Sequence, residues 1–323
     1  MKSPRIVFMG TPEFAVASLG SLLINGYDVA AVVTTPDKPA GRGRKLSASP
    51  VKEFAASNYL PLLQPLNLDE QDFINRLISL DPDVFIVVAF RMLPKIVWEI
   101  PRLGTFNLHA SLLPQYRGAA PINHAIINGE TSTGVTTFLI DEKIDTGNIL
   151  LREEVQIFPS ENAGDLHNRL MKYGARLVIK TLEGLTEHKV EPQPQTNFIF
   201  PGEVLKRAPK IFPGDCIIDW NKDPFTIHNL IRGLSPEPCA RSILSNNERS
   251  VSFKIFESRP EDEMHSMEPG TIVSDAKESF RIACRNGFIR ILQLQIEGKK
   301  RMDTDEFLRG FRIAGFNITV PKA

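Results

Sequence analysis

The sequence predicts an α/β domain built on a parallel sheet, followed by a smaller all-β domain. Three observations predict it. Short apolar runs alternate with helix-like segments from Arg5 to about residue 185, the pattern of strands joined by crossover helices. One run, Asp83-Val-Phe-Ile-Val-Val-Ala89, is apolar after its first residue, as in a central parallel strand covered on both faces. Beyond Glu191-Pro-Gln-Pro-Gln195, a Pro-rich polar stretch that reads as a linker, short alternating runs suit a small barrel.

Taken in order, Arg5–Gly10 reads as the first strand, ending in glycine. Thr11 fits an N-cap and Pro12 the first position of a helix over 12–25, closed by Asn25-Gly26. Asp28–Thr34 is the second strand. Gly-Thr-Pro between them lacks the G-x-G-x-x-G spacing, so a dinucleotide site is not supported. Residues 35–49 exceed the ~2–6 residues of an ordinary connection. They carry Lys38, Arg42, Arg44 and Lys45, with no acid after Asp37. An oversized basic loop suits a polyanion such as RNA, the alternative being a solvated surface loop. Helix 50–58, strand 61–64 and helix 69–79 continue the alternation. The strand 83–89 delivers Phe90-Arg91-Met92-Leu93-Pro94 at its carboxyl end, where α/β proteins place ligands.

Helix 94–99 leads to Gly104-Thr-Phe-Asn107-Leu-His109-Ala110, a short strand running into a Pro-containing loop. Alternation along a strand points Asn107 and His109 the same way. An amide and an imidazole at a strand's end suit a carbonyl whose oxygen takes up negative charge, and they equally suit a core histidine with its partner. A helix over about 121–128, a strand 133–141 and a strand 148–157 follow, with Asp145 in the tight turn Glu142–Gly147. Locally, an Asp before Thr-Gly is a turn former. Helix 162–185 closes the domain, and His167 on it reads as a surface or satisfied residue. Lys206, Arg207 and Lys210 follow the linker. A helix over 224–233 precedes β runs at 240–244, 250–257, 270–274 and 279–285 and a type I′ hairpin at Asn286-Gly287. Arg281 and Arg285, outward with Ala283, would join Lys299-Lys300-Arg301 in one basic surface, or an ordinary solvated face.

Composition narrows the classes. The 323 residues carry 38 basic and 38 acidic side chains, so global charge names no partner and any nucleic-acid surface is a local patch. Cys216, Cys239 and Cys284 are too widely spaced for a metal pattern and form no even disulfide set, which fits a reducing compartment. With no signal-peptide pattern and no apolar run of the ~18 residues that span a bilayer, the expectation is a cytoplasmic protein, not membrane-bound.

Asn107-Leu-His109-Ala-Ser111-Leu-Leu-Pro114-Gln-Tyr-Arg117-Gly118, followed by Asp145-Thr-Gly147, resembles the folate-dependent formyltransferases. Met9–Ala15, Pro36–Gly43, Arg117–Ile122, Ile218-Asp-Trp220 and Glu297–Lys300 extend the likeness over about 4–302 and toward members that act on tRNA. The resemblance implies a Rossmann-like N-terminal formyltransferase domain over 1–188, a linker 189–208 and an OB-fold-like, tRNA-binding β-barrel over 209–323. It implies transfer of a formyl group from 10-formyltetrahydrofolate, with no metal, to the amino group of methionine on initiator Met-tRNA, by a monomer. It also implies site residues. Asn107 and His109 would stabilise the oxyanion, and Asp145 would support His109 and proton transfer. Ser111, Leu112, Leu113 and Pro114, with Phe90, Arg91, Met92 and Leu93, would line the folate. Lys38, Arg42, Arg44, Lys45, Arg207 and Lys210 would contact tRNA. The sequence departs from the family pattern at 89–94, one residue shorter and without glycine, which singles out Arg91, and at Lys143-Ile144. Rival readings are an amino-sugar or purine-pathway formyltransferase, a hydrolase releasing formate, and a non-catalytic RNA-binding protein.

Overall fold

In the computed structural model, residues 3–40 and 45–319 are described. By contacts the chain divides into two units. One comprises Met1–Gly118, Thr133–Gln156 and His167–Arg207; the other comprises Ala119–Ser132, Ile157–Leu166 and Ala208–Ala323.

Among the described residues, seven strands form the sheet of the first unit: β1 (Arg5–Gly10), β2 (Asp28–Val33), β3 (Leu62–Leu63), β4 (Val84–Val88), β5 (Thr105–His109), β6 (Ser132–Leu139) and β7 (Ile149–Gln156). Their order is β7-β6-β5-β4-β1-β2-β3. The strands from β3 to β5 pair in parallel, and β6 runs antiparallel to β5. Strand order reverses between β1 and β4, the switch point at which α/β sheets open a crevice. All five residues of β4 are buried, as its apolar sequence requires. Gly10 ends β1 because a Cβ there would lie 2.6 Å from the Ala15 Cβ and 3.0 Å from the Val88 carbonyl oxygen. The following helix begins at Glu13, with Pro12 at the N-cap and no side-chain cap, so Thr11 does not take the capping role expected of it. Behind β5, Gly174 of helix Ala163–Thr186 lies against Leu108; a Cβ there would sit 2.6 Å from its Cδ2.

Residues expected as an open loop at 35–49 contain a short antiparallel ladder, Lys38–Ala40 with Lys45–Ser47. Asp37 pairs with Lys52 at 2.6 Å, and Ser49 caps helix Pro50–Ser57 by accepting from the Lys52 N–H at 3.0 Å.

The second unit is a nearly closed antiparallel barrel. Its strands are β8 (Ala240–Ser245), β9 (Ser250–Glu261), β10 (Ile272–Ser274), β11 (Phe280–Cys284), β12 (Gly287–Ile296), β13 (Met302–Asp303) and β14 (Asn317–Ile318). Their order is β10-β11-β12-β9-β8-β14, with β13 beside β12. The Ile318 N–H donates to the Gly270 carbonyl at 3.3 Å, bringing the two ends of that order together. Trp220, Phe253, Phe280 and Phe307 fill the core, and Trp220 Nε1 donates to Ser242 Oγ at 3.0 Å. The hairpin turn lies one residue earlier than expected. Cys284 pairs with Gly287, so Arg285 and Asn286 are the loop, and only Asn286 has positive φ (64°). Gly287 serves the strand instead: a Cβ would meet the Glu261 carbonyl oxygen at 2.4 Å. The expected arginine surface is locally neutralised. Arg281 pairs with Glu261 (3.1 Å) and Glu263 (2.8 Å), Lys300 pairs with Glu306 (3.2 Å), and Ala283 is buried rather than outward. All three cysteines are free and buried, and burial pushes the thiols of Cys239 and Cys284 up to about 11 and about 12. Among the described residues no helix is long and apolar enough to cross a membrane, and no group of His, Cys, Asp and Glu is arranged to hold a metal.

Candidate active site

Strand β5 positions the pair that the sequence singles out. Its register sets Asn107 opposite Val87 on β4 and Phe138 on β6, and His109 opposite Thr136. His109 is buried, and its two ring nitrogens have different neighbours. Nε2 lies 2.9 Å from the Tyr116 carbonyl oxygen, and a carbonyl can only accept, so Nε2 carries a proton. Nδ1 is left facing Asp145, 3.9 Å from its Oδ2. Asn107 Oδ1 is buried with no hydrogen-bond partner among the described residues. Buried amide ends are normally paired, so this one marks a place where a ligand group can complete the set.

Asp145 comes from a turn tied down at several points. Its φ is 56°, a left-handed value uncommon outside glycine and more tolerated by Asp than by most residues. Asp141 accepts from the Lys143 N–H (2.9 Å) and the Thr146 hydroxyl (2.8 Å). Gly147 must be glycine, because a Cβ there would sit 1.7 Å from the Leu139 carbonyl oxygen. The Asp145 carboxylate also accepts from the Gly118 N–H at 2.9 Å. A local turn former is thereby aimed at the histidine. The structure thus brings His109 and Asp145 together, with Asn107 on the same face of β5.

Three participants have no role in the sequence reading: the Tyr116 carbonyl and the Gly118 N–H, which lie inside the motif, and the Gln195 side chain, which lies outside it. Gln195, 4% exposed, donates to the carbonyls of Asp145 and Gly147, both at 2.9 Å, and accepts from Arg117 Nε (3.1 Å) and an Arg117 terminal nitrogen (2.6 Å). Burial pulls the Arg117 guanidinium below its usual value, and the nearby charge of Asp145 opposes that. A glutamine at the end of a Pro-rich polar stretch reads as linker, with no periodicity to betray a buried role.

The other named positions lie as follows. The Ser111 hydroxyl donates to the Gln115 carbonyl (2.6 Å), and Thr136 Oγ1 bridges the Ser111 carbonyl and the Leu113 N–H. Leu113 is wholly buried against Phe138 and Ile149, Pro114 is buried and Leu112 half-buried. After β4, Ala89 turns the chain with φ 48°. Leu93 is buried, Phe90 packs on the core and Met92 is 73% exposed. Arg91 donates to the carbonyls of Pro65 (2.9 Å) and Leu66 (3.0 Å), and its Nε is buried without a partner among the described residues, so the terminal nitrogens tie the shortened loop to the segment before helix Gln71–Ser79. Lys38, Arg207 and Lys210 are exposed, Lys210 lying 5.7 Å over the Phe212 ring. Arg42, Arg44 and the Lys45 side chain lie outside the described residues. His167 is half-buried, edge-on to Phe14 at 5.2 Å.

A mostly parallel sheet with this switch point sets an imidazole facing a carboxylate, with an amide on the same strand face, a set that suits acid–base chemistry at a carbonyl. The family model described as formyl transferase matches residues 4–182, that of the formyl transferase C-terminal domain matches 210–312, and the chain belongs to this family of formyl-transferring enzymes. Within it, the chain is 52% identical over 310 residues to the methionyl-tRNA formyltransferase of Bacteroides fragilis, covering 96% of this chain and 95% of that one. It is 54% identical over 310 residues to the methionyl-tRNA formyltransferase of Flavobacterium johnsoniae, covering 96% and 97%. Among solved structures, the N-formyltransferase of Helicobacter canadensis in complex with folinic acid and dTDP-3-aminofucose shares the fold, with TM-score 0.62, 24% identity, and coverage of 92% of this chain and 99% of that one.

Proposed function

We propose that the chain transfers the formyl group of 10-formyltetrahydrofolate to the α-amino group of methionine on initiator Met-tRNA, as a cytoplasmic monomer. The observation that carries the chemistry is the His109–Asp145 pair, with Asn107 on the same face of β5. The folate co-substrate supplies the formyl group when bound. Its place is the crevice at the carboxyl ends of β4 and β5, between residues 90–93 and 111–114.

The reaction forms a bond from the amine nitrogen to the formyl carbon and breaks that carbon's bond to N10. Between these events the formyl oxygen carries negative charge. Asn107 supplies a neutral N–H donor to that oxygen, held by the strand so that little reorganisation is needed. His109 Nδ1, the ring nitrogen not engaged by the Tyr116 carbonyl and 3.9 Å from Asp145 Oδ2, is the one placed to carry a proton to that oxygen. His109 then offers that proton to the oxygen. Asp145 takes the proton lost by the attacking amine and returns one to the departing N10, directly or through a water.

The acceptor is read separately. Lys38, Arg42, Arg44 and Lys45 from the 35–49 segment, with Arg207 and Lys210, would pair with phosphates near the acceptor end. The deciding experiment incubates the protein with 10-formyltetrahydrofolate and charged initiator tRNA and measures formyl-methionine. Formate released without an amine would point to a hydrolase instead. Formylation of an amino sugar in preference to the charged tRNA would move the acceptor assignment.

A further inference from the structure

The segment after helix Ala163–Thr186 reads as a linker, yet its backbone and side chains are bonded along the catalytic loops. Gln193 and Ile149 exchange backbone hydrogen bonds, both at 2.8 Å. Further on, the Lys206 N–H donates to Gln115 Oε1 at 2.8 Å, and Gln115 Nε2 donates to Glu203 at 2.6 Å. Between these clasps lies Gln195, whose amide is fully used in one orientation only. Arg117 presents donors to one end, and the carbonyls of Asp145 and Gly147 present acceptors to the other. Flipping the amide would set N–H against guanidinium and oxygen against two carbonyls, so the neighbours fix which end faces the turn.

We infer that Gln195 is a positioning residue of the active site: it holds the Asp145 turn in register with His109, and Arg117 fixes the direction of its amide. The inference rests on the catalytic reading of Asn107, His109 and Asp145. The physical need is specific. Asp145 sits at positive φ, and only a structure that over-determines such a backbone keeps it there. Gln195 grips the turn at residue 145 and again at 147, on either side of the peptide that sets the direction of the carboxylate. Without it, Asp145 keeps the Gly118 N–H as a partner but loses the brace on its own carbonyl.

The test uses the full chain with 10-formyltetrahydrofolate and charged initiator tRNA. Gln195→Leu keeps the volume and removes every hydrogen bond; Gln195→Glu keeps the acceptor for Arg117 and removes both donations to the turn. Displacement of a catalytic group by about 1 Å lowers rates by roughly 10²-fold, so both variants should lose kcat on that scale and shift the pH profile of kcat. KM for each substrate should stay within about threefold, because binding contacts are intact. Adding Asp145→Ala to Gln195→Leu should cost nothing beyond Asp145→Ala alone, as expected of residues acting as one unit. Ile231→Val, which lowers the unfolding midpoint from the core of the other unit, should leave kcat and its pH profile alone at temperatures where all variants are folded. A Gln195→Leu enzyme with wild-type kcat and pH profile, or losses that multiply in the double variant, would overturn the inference while leaving the catalytic set standing. Wild-type kcat in Asp145→Ala would instead overturn the catalytic reading, and the role of Gln195 with it.

Discussion

His109 spends one ring nitrogen on the Tyr116 carbonyl, at 2.9 Å, so only Nδ1 is available for chemistry, and that nitrogen faces Asp145. Replacing His109 with Gln, which can still donate to the carbonyl but cannot hold a mobile proton, should abolish most of the turnover with little change in folding. Steady-state kinetics beside thermal unfolding would check it. In the proposed mechanism Asn107→Ala removes one oxyanion donor, and such a loss typically costs about 10²–10³ in rate. The expected result is a fall of that size in kcat with folate binding retained, read by single-turnover kinetics and by folate titration. Arg91 is a different kind of residue. Its guanidinium ends on the Pro65 and Leu66 carbonyls and burial pulls it below its usual value, so it braces the 90–94 loop. Arg91→Ala should therefore raise the KM for the folate more than that for tRNA.

At the scale of elements, the proposed site depends on a turn whose geometry leaves no room. Gly147→Ala would drive a Cβ to 1.7 Å from a backbone oxygen, which can be relieved only by moving the 141–147 turn. Circular dichroism and kcat measured together should show a folded protein with much reduced turnover. This turn also shows where sequence reading stops. Asp145-Thr-Gly is legible as a turn, and its resemblance to a family motif marks the aspartate. The brace from Gln195 joins residues 50 positions apart, a contact with no local pattern. The same limit explains the 35–49 segment, whose described ends pair as a ladder despite a composition that reads as open loop. It also explains the Asn286-Gly287 hairpin, where Gly287 is required by the Glu261 carbonyl across the sheet rather than by the turn.

Across the whole molecule, balanced charge leaves recognition of a polyanion to local patches. Replacing Arg42, Arg44 and Lys45 together by Ala should raise the KM for Met-tRNA and flatten its dependence on salt, because fewer counterions are released. Folate affinity should hold; equal losses for both substrates would indicate misfolding instead. Global stability should also respond to acid through His228. Burial, helped by the charge of Arg232, lowers its pKa from 6.5 to about 4, so the unfolded chain binds that proton more readily than the folded one. The stability it contributes is present above pH 6.5 and is lost as pH falls toward 4. The size is at most about 3 kcal/mol, at ~1.4 kcal/mol per pKa unit. Denaturant midpoints across that range should fall in the wild type and flatten in His228→Asn.

By itself the sequence determined the alternation of strands and helices, the crevice at the ends of the strands holding Ala89 and His109, and the short-stranded second region. These follow from apolar periodicity and glycine placement, which are local. Strand alternation also singled out Asn107 and His109 as a same-face pair, and motif resemblance added Asp145 to them. Only the tertiary structure decided which nitrogen of His109 faces Asp145, that Arg91 is spent on bracing a loop, that Arg281 of the barrel is paired with acids, and that Gln195 is bonded to the Asp145 turn. Each of these is a hydrogen bond or ion pair between residues distant in the chain, and the fold alone determines which distant groups meet.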